Sequence, residues 1–417
     1  TVVDTNDIVF AASTITGAFT LTVGGGVTDS GTLTIEDETN ISASSGNVVL
    51  NEGTNDFQKA VKIVGVNVTL VDTNAIDLGA STVGGDYVVT AGGDITDSGV
   101  LNITGTSAFT AAGGQSILLD ESSTFTGAVT FSPSSGTLAG VSITDSTDFD
   151  LQALALSGNL EVESGGSITQ SGNLTIEGTS SLTTSTTDKT IALNTHSNAF
   201  TGAFTLSSTG SSAHVTIDNG TTAIVVASAS VGGNLTLTSG HVSGITDSGT
   251  VTVGGNLVAT TDANNGVINM GTLAVTGSIA LTTDGTGNAT VVNASGLDFG
   301  ATTIGGDLTA TATTGNITDS GILTITGATS ITLGTNPILS VSSARSATDL
   351  DGNTIALNTA GNLFTGGITL HYFGILPVID NSDIDLARQV TFAELLWGLG
   401  DNTKTIYGAY GDIFGDN

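Results

Sequence analysis

The sequence predicts an all-β protein, a parallel β-helix of roughly 15 coils with a small C-terminal capping or docking segment. Three observations lead to this fold class. A block of about 73 residues recurs along the chain, short runs alternate apolar residues with Thr or Ser, and Gly and Asn separate the runs. Each run is too short to bury a core alone, so the runs are expected to stack coil upon coil.

The most specific repeated motif is Thr-Asp-Ser-Gly. Its copies recur at a nearly constant spacing, and a strand-like run follows each one. They begin at Thr28, Thr96, Thr246 and Thr318, with the variant Thr-Gln-Ser-Gly at Thr169. A period of about 73 residues fits three coils of roughly 24 residues, the size of one turn of a parallel β-helix.

Two further motifs recur with similar timing. Phe-Thr-Gly-Ala and its degenerate copies begin at Phe57, Phe125, Phe200 and Phe364. Val-Gly-Gly-Asp and its relatives begin at Val83, Val231, Val253 and Ile304. Gly and Asn suit coil corners with positive φ, whereas Thr and Val favour strands. A helical solenoid is disfavoured because the pattern lacks a helical periodicity. Tandem β-sandwich domains of about 73 residues remain the alternative, although a sandwich would not need a self-copy of this length.

Composition changes near both ends of the repeat array. Residues 1–10 are poor in repeats and are interpreted as an N-terminal strand that could dock on a partner. Residues 11–370 form the predicted β-helix. Residues 371–417 are rich in aromatic side chains and are predicted to cap the helix or to dock on the next subunit. The candidate assembly residues are Tyr372, Phe373, Phe392, Trp397, Tyr407, Tyr410 and Phe414.

One helix is expected in the C-terminal segment, over residues 382–400. Ser382 is a suitable N-cap, with Asp385 three positions on as in a capping box. Asp383 favours the positive helix N-terminus, and Gly400 can end the helix.

The charge excludes several classes of partner. The 417 residues include 6 Lys or Arg and 38 Asp or Glu, a formal net charge of −32. Nucleic acids and anionic membrane surfaces are therefore not expected to bind, because both need clustered basic residues. No apolar stretch is long enough for a transmembrane helix, so membrane insertion is not expected. The lack of cysteine excludes disulfides, thiolate metal sites and a cysteine nucleophile.

No catalytic residue and no cofactor are assigned, and the chain is not expected to be an enzyme. The four histidines lie far apart, which disfavours a zinc site. Asp29, Asp97, Asp247 and Asp319 of the Thr-Asp-Ser-Gly copies are candidate calcium ligands at coil corners. The other interpretation is structural, with the carboxylate accepting backbone N–H bonds in a turn.

Two sequence patterns, V-G-G-[DN]-x-x-x-T and I-T-D-S-G-x-[LV]-x-[IV], occur in both Val83–Leu101 and Val231–Val253. In these patterns the chain resembles bacterial β-strand-repeat surface proteins of the filamentous-haemagglutinin-like class of large exoproteins. The resemblance covers about residues 11–370. It implies a right-handed parallel β-helix that is secreted and serves in adhesion, matrix or filament formation.

The expected function is therefore that of a secreted structural protein, located outside the cell or on its surface. The chain is expected to be a subunit of an extracellular filament or surface matrix, a homo-polymer built by head-to-tail stacking of exposed strand edges. The main alternative is a monomeric rod-like adhesin that binds a glycan or a ligand on a host or neighbouring cell. A polysaccharide-active β-helix enzyme and an ice-binding protein are further alternatives.

Overall fold

The computed structural model describes residues 1–334, 347–348, 354–357, 359–371, 392–395 and 403–408. Within these ranges every regular element is a β-strand, which confirms the all-β prediction. Strands of successive coils pair in parallel, so the parallel β-helix is confirmed as well. The chain divides into two compact units, Thr1–Gly202 and Ala203–Asn417, which are described separately.

In the first unit, each of the first three coils carries three strands, one in each of three parallel sheets. These strands are β1 (Val2–Asp4), β2 (Ile8–Phe10), β3 (Ser13–Ile15), β4 (Phe19–Val23), β5 (Val27–Asp29), β6 (Leu33–Ile35), β7 (Thr39–Ser42), β8 (Val48–Leu50) and β9 (Asp56–Phe57). Residues 1–10, predicted as a separate docking segment, thus supply the first two strands of the first coil.

The later coils of the first unit continue the same winding. Their strands are β10 (Val61–Gly65), β11 (Val68–Asp72), β12 (Ile76–Leu78), β13 (Ser81–Val83), β14 (Tyr87–Ala91), β15 (Ile95–Asp97), β16 (Leu101–Ile103), β17 (Ser107–Ala111), β18 (Ser116–Phe125), β19 (Val129–Pro133), β20 (Gly140–Asp145), β21 (Phe149–Leu151), β22 (Leu154–Leu156), β23 (Leu160–Ser164), β24 (Ile168–Gln170), β25 (Leu174–Ile176), β26 (Ser180–Thr184), β27 (Ile191–Leu193) and β28 (Asn198–Phe200). One continuous parallel ladder runs β1-β4-β7-β10-β13-β16-β18-β20-β23-β26.

The second unit has its own parallel ladder, β29-β31-β34-β36-β38-β41-β44-β48. The strands of this unit are β29 (Phe204–Ser208), β30 (Val215–Asp218), β31 (Ile224–Val231), β32 (Leu235–Ser239), β33 (Ile245–Asp247), β34 (Val251–Val253), β35 (Leu257–Thr261), β36 (Ile268–Val275), β37 (Ser278–Thr282), β38 (Ala289–Asn293), β39 (Leu297–Phe299), β40 (Thr302–Ile304), β41 (Leu308–Ala312), β42 (Ile317–Asp319), β43 (Leu323–Ile325), β44 (Thr329–Leu333), β45 (Ala347–Thr348), β46 (Thr354–Ala356), β47 (Leu363–Phe364), β48 (Ile368–His371), β49 (Phe392–Leu395) and β50 (Thr403–Gly408).

Side chains alternate between the core and the solvent along each strand. The stacked residues Leu21, Ile41 and Ile63 are paired across successive coils and are all buried. Their chain neighbours Asn40 and Lys62 form an outward-facing column. The period of two in the sequence therefore sets which side chains fill the interior, as the alternation of apolar residues and Thr predicted.

Most coils are shorter than the sequence predicted, although the turns from Ser116 to Gly140 and from Leu174 to Asn198 have the predicted length. One turn carries Phe19 to its partner Thr39, and in the second unit one turn carries Leu235 to Leu257. Both steps are smaller than a third of the spacing between copies of the Thr-Asp-Ser-Gly motif. The sequence repeat therefore contains more than three coils, and the prediction of three coils per repeat is wrong.

One sequence repeat spans three full coils plus about one more face of the coil. From Thr28 the ladder passes through Val49 and Thr69 to Val88, three coils later. The next copy of the motif begins at Thr96, eight residues past Val88. The same offset recurs at two other steps within a unit: Thr169 begins eight residues past Glu161, and Thr318 begins nine past Thr309. Successive copies of one motif therefore lie on different faces of the coil.

The described part of the C-terminal segment is β-structure. Within the predicted helix 382–400, residues Phe392–Leu395 form β49, which pairs antiparallel with β50; for these four residues the helix prediction is wrong. The remainder of 382–400 lies outside the described residues. Of the candidate assembly residues, Phe392 and Tyr407 lie in β49 and β50. The other five, Tyr372, Phe373, Trp397, Tyr410 and Phe414, lie outside the described residues.

Over the residues that the structure describes, no helix is long and apolar enough to cross a membrane.

Candidate functional site

Side-chain oxygens at one corner of the coil bind backbone N–H groups of the next coil. Asn67 N donates to Asn47 Oδ1 at 3.2 Å, and Asp86 N donates to Asn67 Oδ1 at 2.9 Å. Thr106 N continues the series by donating to Asp86 Oδ1 at 2.9 Å. We call this series the corner ladder, and the hydrogen bonds from Thr106 hold the pKa of Asp86 below its usual value.

The second unit has an equivalent corner ladder, and it includes a histidine. Asn234 N donates to His214 Nδ1, Asn256 N to Asn234 Oδ1, and Ser278 N to Asn256 Oδ1, each at 2.9 Å. His214 therefore stands in a position that Asn or Asp occupies in other coils.

The second glycine of the Gly-Gly-[Asp/Asn] motif follows from the corner ladder. A Cβ on Gly85 would collide with Asn67 Oδ1, and a Cβ on Gly255 would collide with Asn234 Oδ1. The second glycine is thus needed because the side chain of the coil below approaches the backbone closely. A Cβ on the preceding Gly84 would meet nothing within 4 Å.

The aspartates of the Thr-Asp-Ser-Gly copies also bind the next coil. Asp29 accepts the N–H groups of Asn51 at 3.0 Å and Glu52 at 3.2 Å. Asp247 accepts those of Gly271 and Thr272, both at 2.8 Å. We call each such contact an inter-coil bracket. The carboxylates accept backbone N–H bonds, but the donors lie a full coil away and not in the same turn, where one interpretation placed them.

The other two copies form brackets in the same way. Asp97 accepts the N–H groups of Asp120 at 2.9 Å and Glu121 at 3.4 Å. Asp319 accepts the N–H of Thr359 at 3.1 Å. All four candidate aspartates therefore bind backbone of the coil that follows.

The structure joins the first motif to the second, a relation that the sequence reasoning missed. Asn55, two residues before Phe57, donates from Nδ2 to Asp29 at 2.6 Å and accepts the N–H of Leu33 at 2.8 Å. Asn362, two residues before Phe364, binds Asp319 and accepts the N–H of Leu323. The signal was present in two copies, since the interval from the motif aspartate to the phenylalanine is the same for Phe57 and for Phe125, but it is longer for Phe364.

The variant copy replaces the carboxylate with an amide. Gln170 Nε2 donates to Asn198 Oδ1 and Asn198 Nδ2 donates to Gln170 Oε1, each at 3.0 Å. Asn198 lies two residues before Phe200, so this pair occupies the same place as Asp29 and Asn55. An amide pair keeps the bracket without burying a charge.

The bracket of Asp97 lacks the side-chain amide donor that Asn55 supplies to Asp29. Ser123 stands at the position of Asn55 and accepts the N–H of Leu101 at 2.9 Å. The Oδ2 atom of Asp97 is buried and has no hydrogen-bond partner. Burial is the main cause that raises the pKa of Asp97 to about 7. The backbone hydrogen bonds from Glu121 and Asp120 lower this pKa, whereas the negative charges of the same two side chains raise it.

Two other carboxylates are buried in the first unit. Asp72 accepts the N–H of Phe57 at 2.8 Å and that of Asn74 at 2.7 Å, and burial raises its pKa to about 6. Asp145 accepts the N–H groups of Phe125 and Thr147, and burial likewise raises its pKa. These groups are held inside the coil and do not converge on a common surface.

Among the described residues, no group of three or more His, Cys, Asp or Glu side chains is placed to hold a metal ion. The bracket aspartates lie on different coils and are occupied by backbone N–H groups. Calcium binding at Asp29, Asp97, Asp247 and Asp319 stays a prediction.

Comparison with protein families gives a match over most of the chain. A family described as Repeats of unknown function (DUF5649) matches residues 1–64, 65–132, 139–207, 212–268 and 286–340. Together these segments cover three quarters of the chain. No curated protein and no solved structure matches the chain.

The corner ladder predicts different costs for two adjacent glycines. Gly85→Ala forces a methyl group against the Asn67 side chain and should destabilise the protein by about 1–3 kcal/mol. Gly84→Ala has open space and should change stability by less than about 1 kcal/mol. Thermal unfolding followed by circular dichroism measures both. Equal shifts in the two variants would contradict the close approach.

The buried carboxylates predict that stability rises as pH falls from about 7 to about 4. Their native pKa values lie above the unfolded value of 3.8, so the native state binds more protons than the unfolded state in this window. Asp97→Asn should therefore stabilise the protein by about 1–3 kcal/mol at pH 8 and have little effect at pH 4. Urea unfolding at both pH values tests this. A stabilisation independent of pH would show that Asp97 titrates normally.

Proposed function

This chain belongs to the family described as Repeats of unknown function (DUF5649), and we propose that it is a non-enzymatic structural protein. Its role is that of a subunit in an extracellular filament or surface matrix, joined to other subunits end to end. The observation that carries the proposal is the use of the motif side chains. The recurring aspartates and amides bind the next coil of the same chain.

The repeat as a whole supports a scaffold. Two of its motifs supply the bracket aspartates and the corner-ladder side chains, whose contacts join one coil to the next. A repeat selected for a reaction centre would instead keep side chains directed at a shared cleft. The resemblance to bacterial β-strand-repeat surface proteins supports an extracellular location.

The surface charge bears on how subunits associate. The net charge is −32. Among the described residues, Lys62 forms an ion pair with Glu38, with 2.9 Å between Nζ and Oε2. Acidic side chains such as Glu161 and Glu163 lie on outward strand positions and are exposed. Subunits of like charge repel one another at low ionic strength. Assembly of this protein therefore depends on screening or on cations.

A column of polar side chains in the second unit favours one alternative, an adhesin. Thr290, Thr309 and Ser330 stack on successive coils, and Thr311 and Thr332 form a parallel column two residues away. Hydroxyl groups in such an array can hydrogen-bond a glycan. Thr309→Lys with Thr311→Lys should abolish glycan binding by an adhesin and leave the assembly of a filament subunit intact.

Assembly should increase with salt. At about 0.15 M salt the Debye length is about 8 Å, so charges on neighbouring subunits are largely screened. We expect sedimentation velocity and negative-stain electron microscopy to show larger species at this ionic strength, or with a millimolar divalent cation, than at low salt. Chelation should reverse the effect of the divalent cation only. A monomer under all of these conditions would contradict the proposed function.

A further inference from the structure

A groove lies on the outward face of β4, β7 and β10 in the first unit. Its volume is about 120 Å³, which is smaller than the roughly 300–1,000 Å³ of a typical ligand pocket and suits one small ring. Outward-facing side chains of three successive coils line it. These side chains are Thr20, Thr22, Asn40, Ser42, Lys62 and Val64. We call this surface the Lys62 groove.

A β-bulge in the next coil forms one wall of the Lys62 groove. β10 pairs with both β12 and β13, and the two pairings leave one more residue on that side than on β10. The extra residue makes a bulge at Gly79 and Ala80. Inside the coil, Ser81 Oγ accepts the N–H of Ile63 at 3.0 Å and donates to Gly79 O at 2.8 Å. Ala80 is exposed and lines the groove.

The Lys62 side chain lies against this bulge. A Cβ on Gly79 would collide with Lys62 Cγ, so the stem of the lysine fits because Gly79 has no side chain. The Nζ atom of Lys62 is 2.9 Å from Oε2 of Glu38. The side chains of Lys62 and Glu38 are 34% and 51% exposed, so hydrogen-bond donors and acceptors stand side by side within reach of a ligand.

The same bulge recurs in the second unit, where β37 pairs with both β39 and β40. Gly300 and Ala301 stand at this second bulge. Thr302 Oγ1 accepts the N–H of Leu281 at 3.2 Å and donates to Gly300 O at 3.1 Å, the two bonds that Ser81 makes in the first unit. The backbone of the groove is therefore a product of the repeat.

The polar lining does not recur. The strand register places Ala280 at the position of Lys62 and Val258 at the position of Asn40. The coil thus accepts a small or apolar side chain at both positions and still forms the bulge. The ammonium and amide groups of the Lys62 groove are not needed for the fold, so a role in binding is the reason we assign to them.

We propose that the Lys62 groove binds one residue of a neutral carbohydrate. Lys62 donates hydrogen bonds, Glu38 accepts them and the Asn40 amide does both, which matches the hydroxyl groups of a sugar. Successive coils lie about 4.8 Å apart and outward side chains of one strand about 7 Å apart, a footprint that one sugar ring can cover. Val64 and Ala80 offer apolar surface to the C–H groups of the ring.

The charge around the groove selects against acidic sugars. Glu38 compensates the positive charge of Lys62, and Glu36 and Asp37 are exposed next to it in the chain. The whole protein carries a net charge of −32, so a carboxylate or sulfate on the sugar would be repelled. The site goes beyond the proposed function, because the binding of a sugar needs no second subunit.

NMR saturation-transfer measurements test the ligand class directly. The probes are the methyl glycosides of glucose, galactose and mannose, with methyl glucuronide as the charged comparison. At least one neutral glycoside should bind with a dissociation constant of about millimolar, and the glucuronide at least about tenfold more weakly. No transfer to any neutral glycoside at about 10 mM would overturn the proposal, and so would stronger binding of the glucuronide.

Variants locate the site. Lys62→Ala and Asn40→Val introduce the residues that stand at the equivalent positions of the second unit, so both should fold, and each should weaken glycoside binding at least about tenfold. Ala80→Trp fills the groove from its exposed wall and should abolish binding. Thr260→Val, on an outward position of β35, is the matched control and should bind like wild type. Unchanged binding in both Lys62→Ala and Ala80→Trp would overturn the site.

The outcomes separate this inference from the proposed function. Variants that lose glycoside binding but assemble like wild type in sedimentation velocity would support a separate binding site. Assembly of a wild-type protein that binds no neutral glycoside would overturn this inference and leave the filament proposal standing. A wild-type protein that binds a neutral glycoside but never assembles would support the site and contradict the filament.

Discussion

The structure depends on one constraint: the strand backbone of a coil finds its hydrogen-bond partners in the coils on either side. A strand of three to five residues, such as Leu33–Ile35 or Phe19–Val23, has no partner within its own coil. Each coil is therefore stable only when another coil lies against it. The polar motifs serve this constraint, because brackets and corners bond one coil to the next at the points where the strands end.

Variation among the repeat copies changes the energetics of a bracket without breaking it. Asp29 receives a hydrogen bond from the Asn55 amide, and the pair of Gln170 and Asn198 replaces the charged group with a second amide. Asp97 lacks an amide donor, because the shorter Ser123 stands in the place of Asn55. A buried carboxylate oxygen without a donor is costly. The coil around Asp97 is accordingly the place where protonation affects the ladder most.

The fold class could be predicted from the sequence because the period of two and the glycine corners are local signals. The coil length could not, because the motif repeat and the coil are different periods. Thr28 and Thr96 belong to the same motif, yet they lie on different faces of the coil. Spacing between identical motifs counts residues per repeat, and only pairing across coils shows how many residues one turn needs.

The candidate site was predicted in part. The aspartates were recognised as either calcium ligands or turn residues, and the structure places them against backbone N–H groups of the following coil. Asn55 was not predicted, because its importance depends on a contact with Asp29, 26 residues earlier in the chain. In the C-terminal segment, capping signals at Ser382 and Gly400 favoured a helix over residues that include β49. Local signals cannot anticipate a strand whose partner is β50.

Amide hydrogen exchange at Leu33 tests the central claim most directly, that side chains of one coil hold the backbone of its neighbour. The Leu33 N–H bonds the Asn55 side chain, 22 residues later. In Asn55→Ala, mass spectrometry of the peptide covering residues 31–36 should show exchange accelerated at least about tenfold, while peptides around Phe109 exchange as in wild type. Unchanged exchange at Leu33, with effects confined to the vicinity of residue 55, would contradict the account.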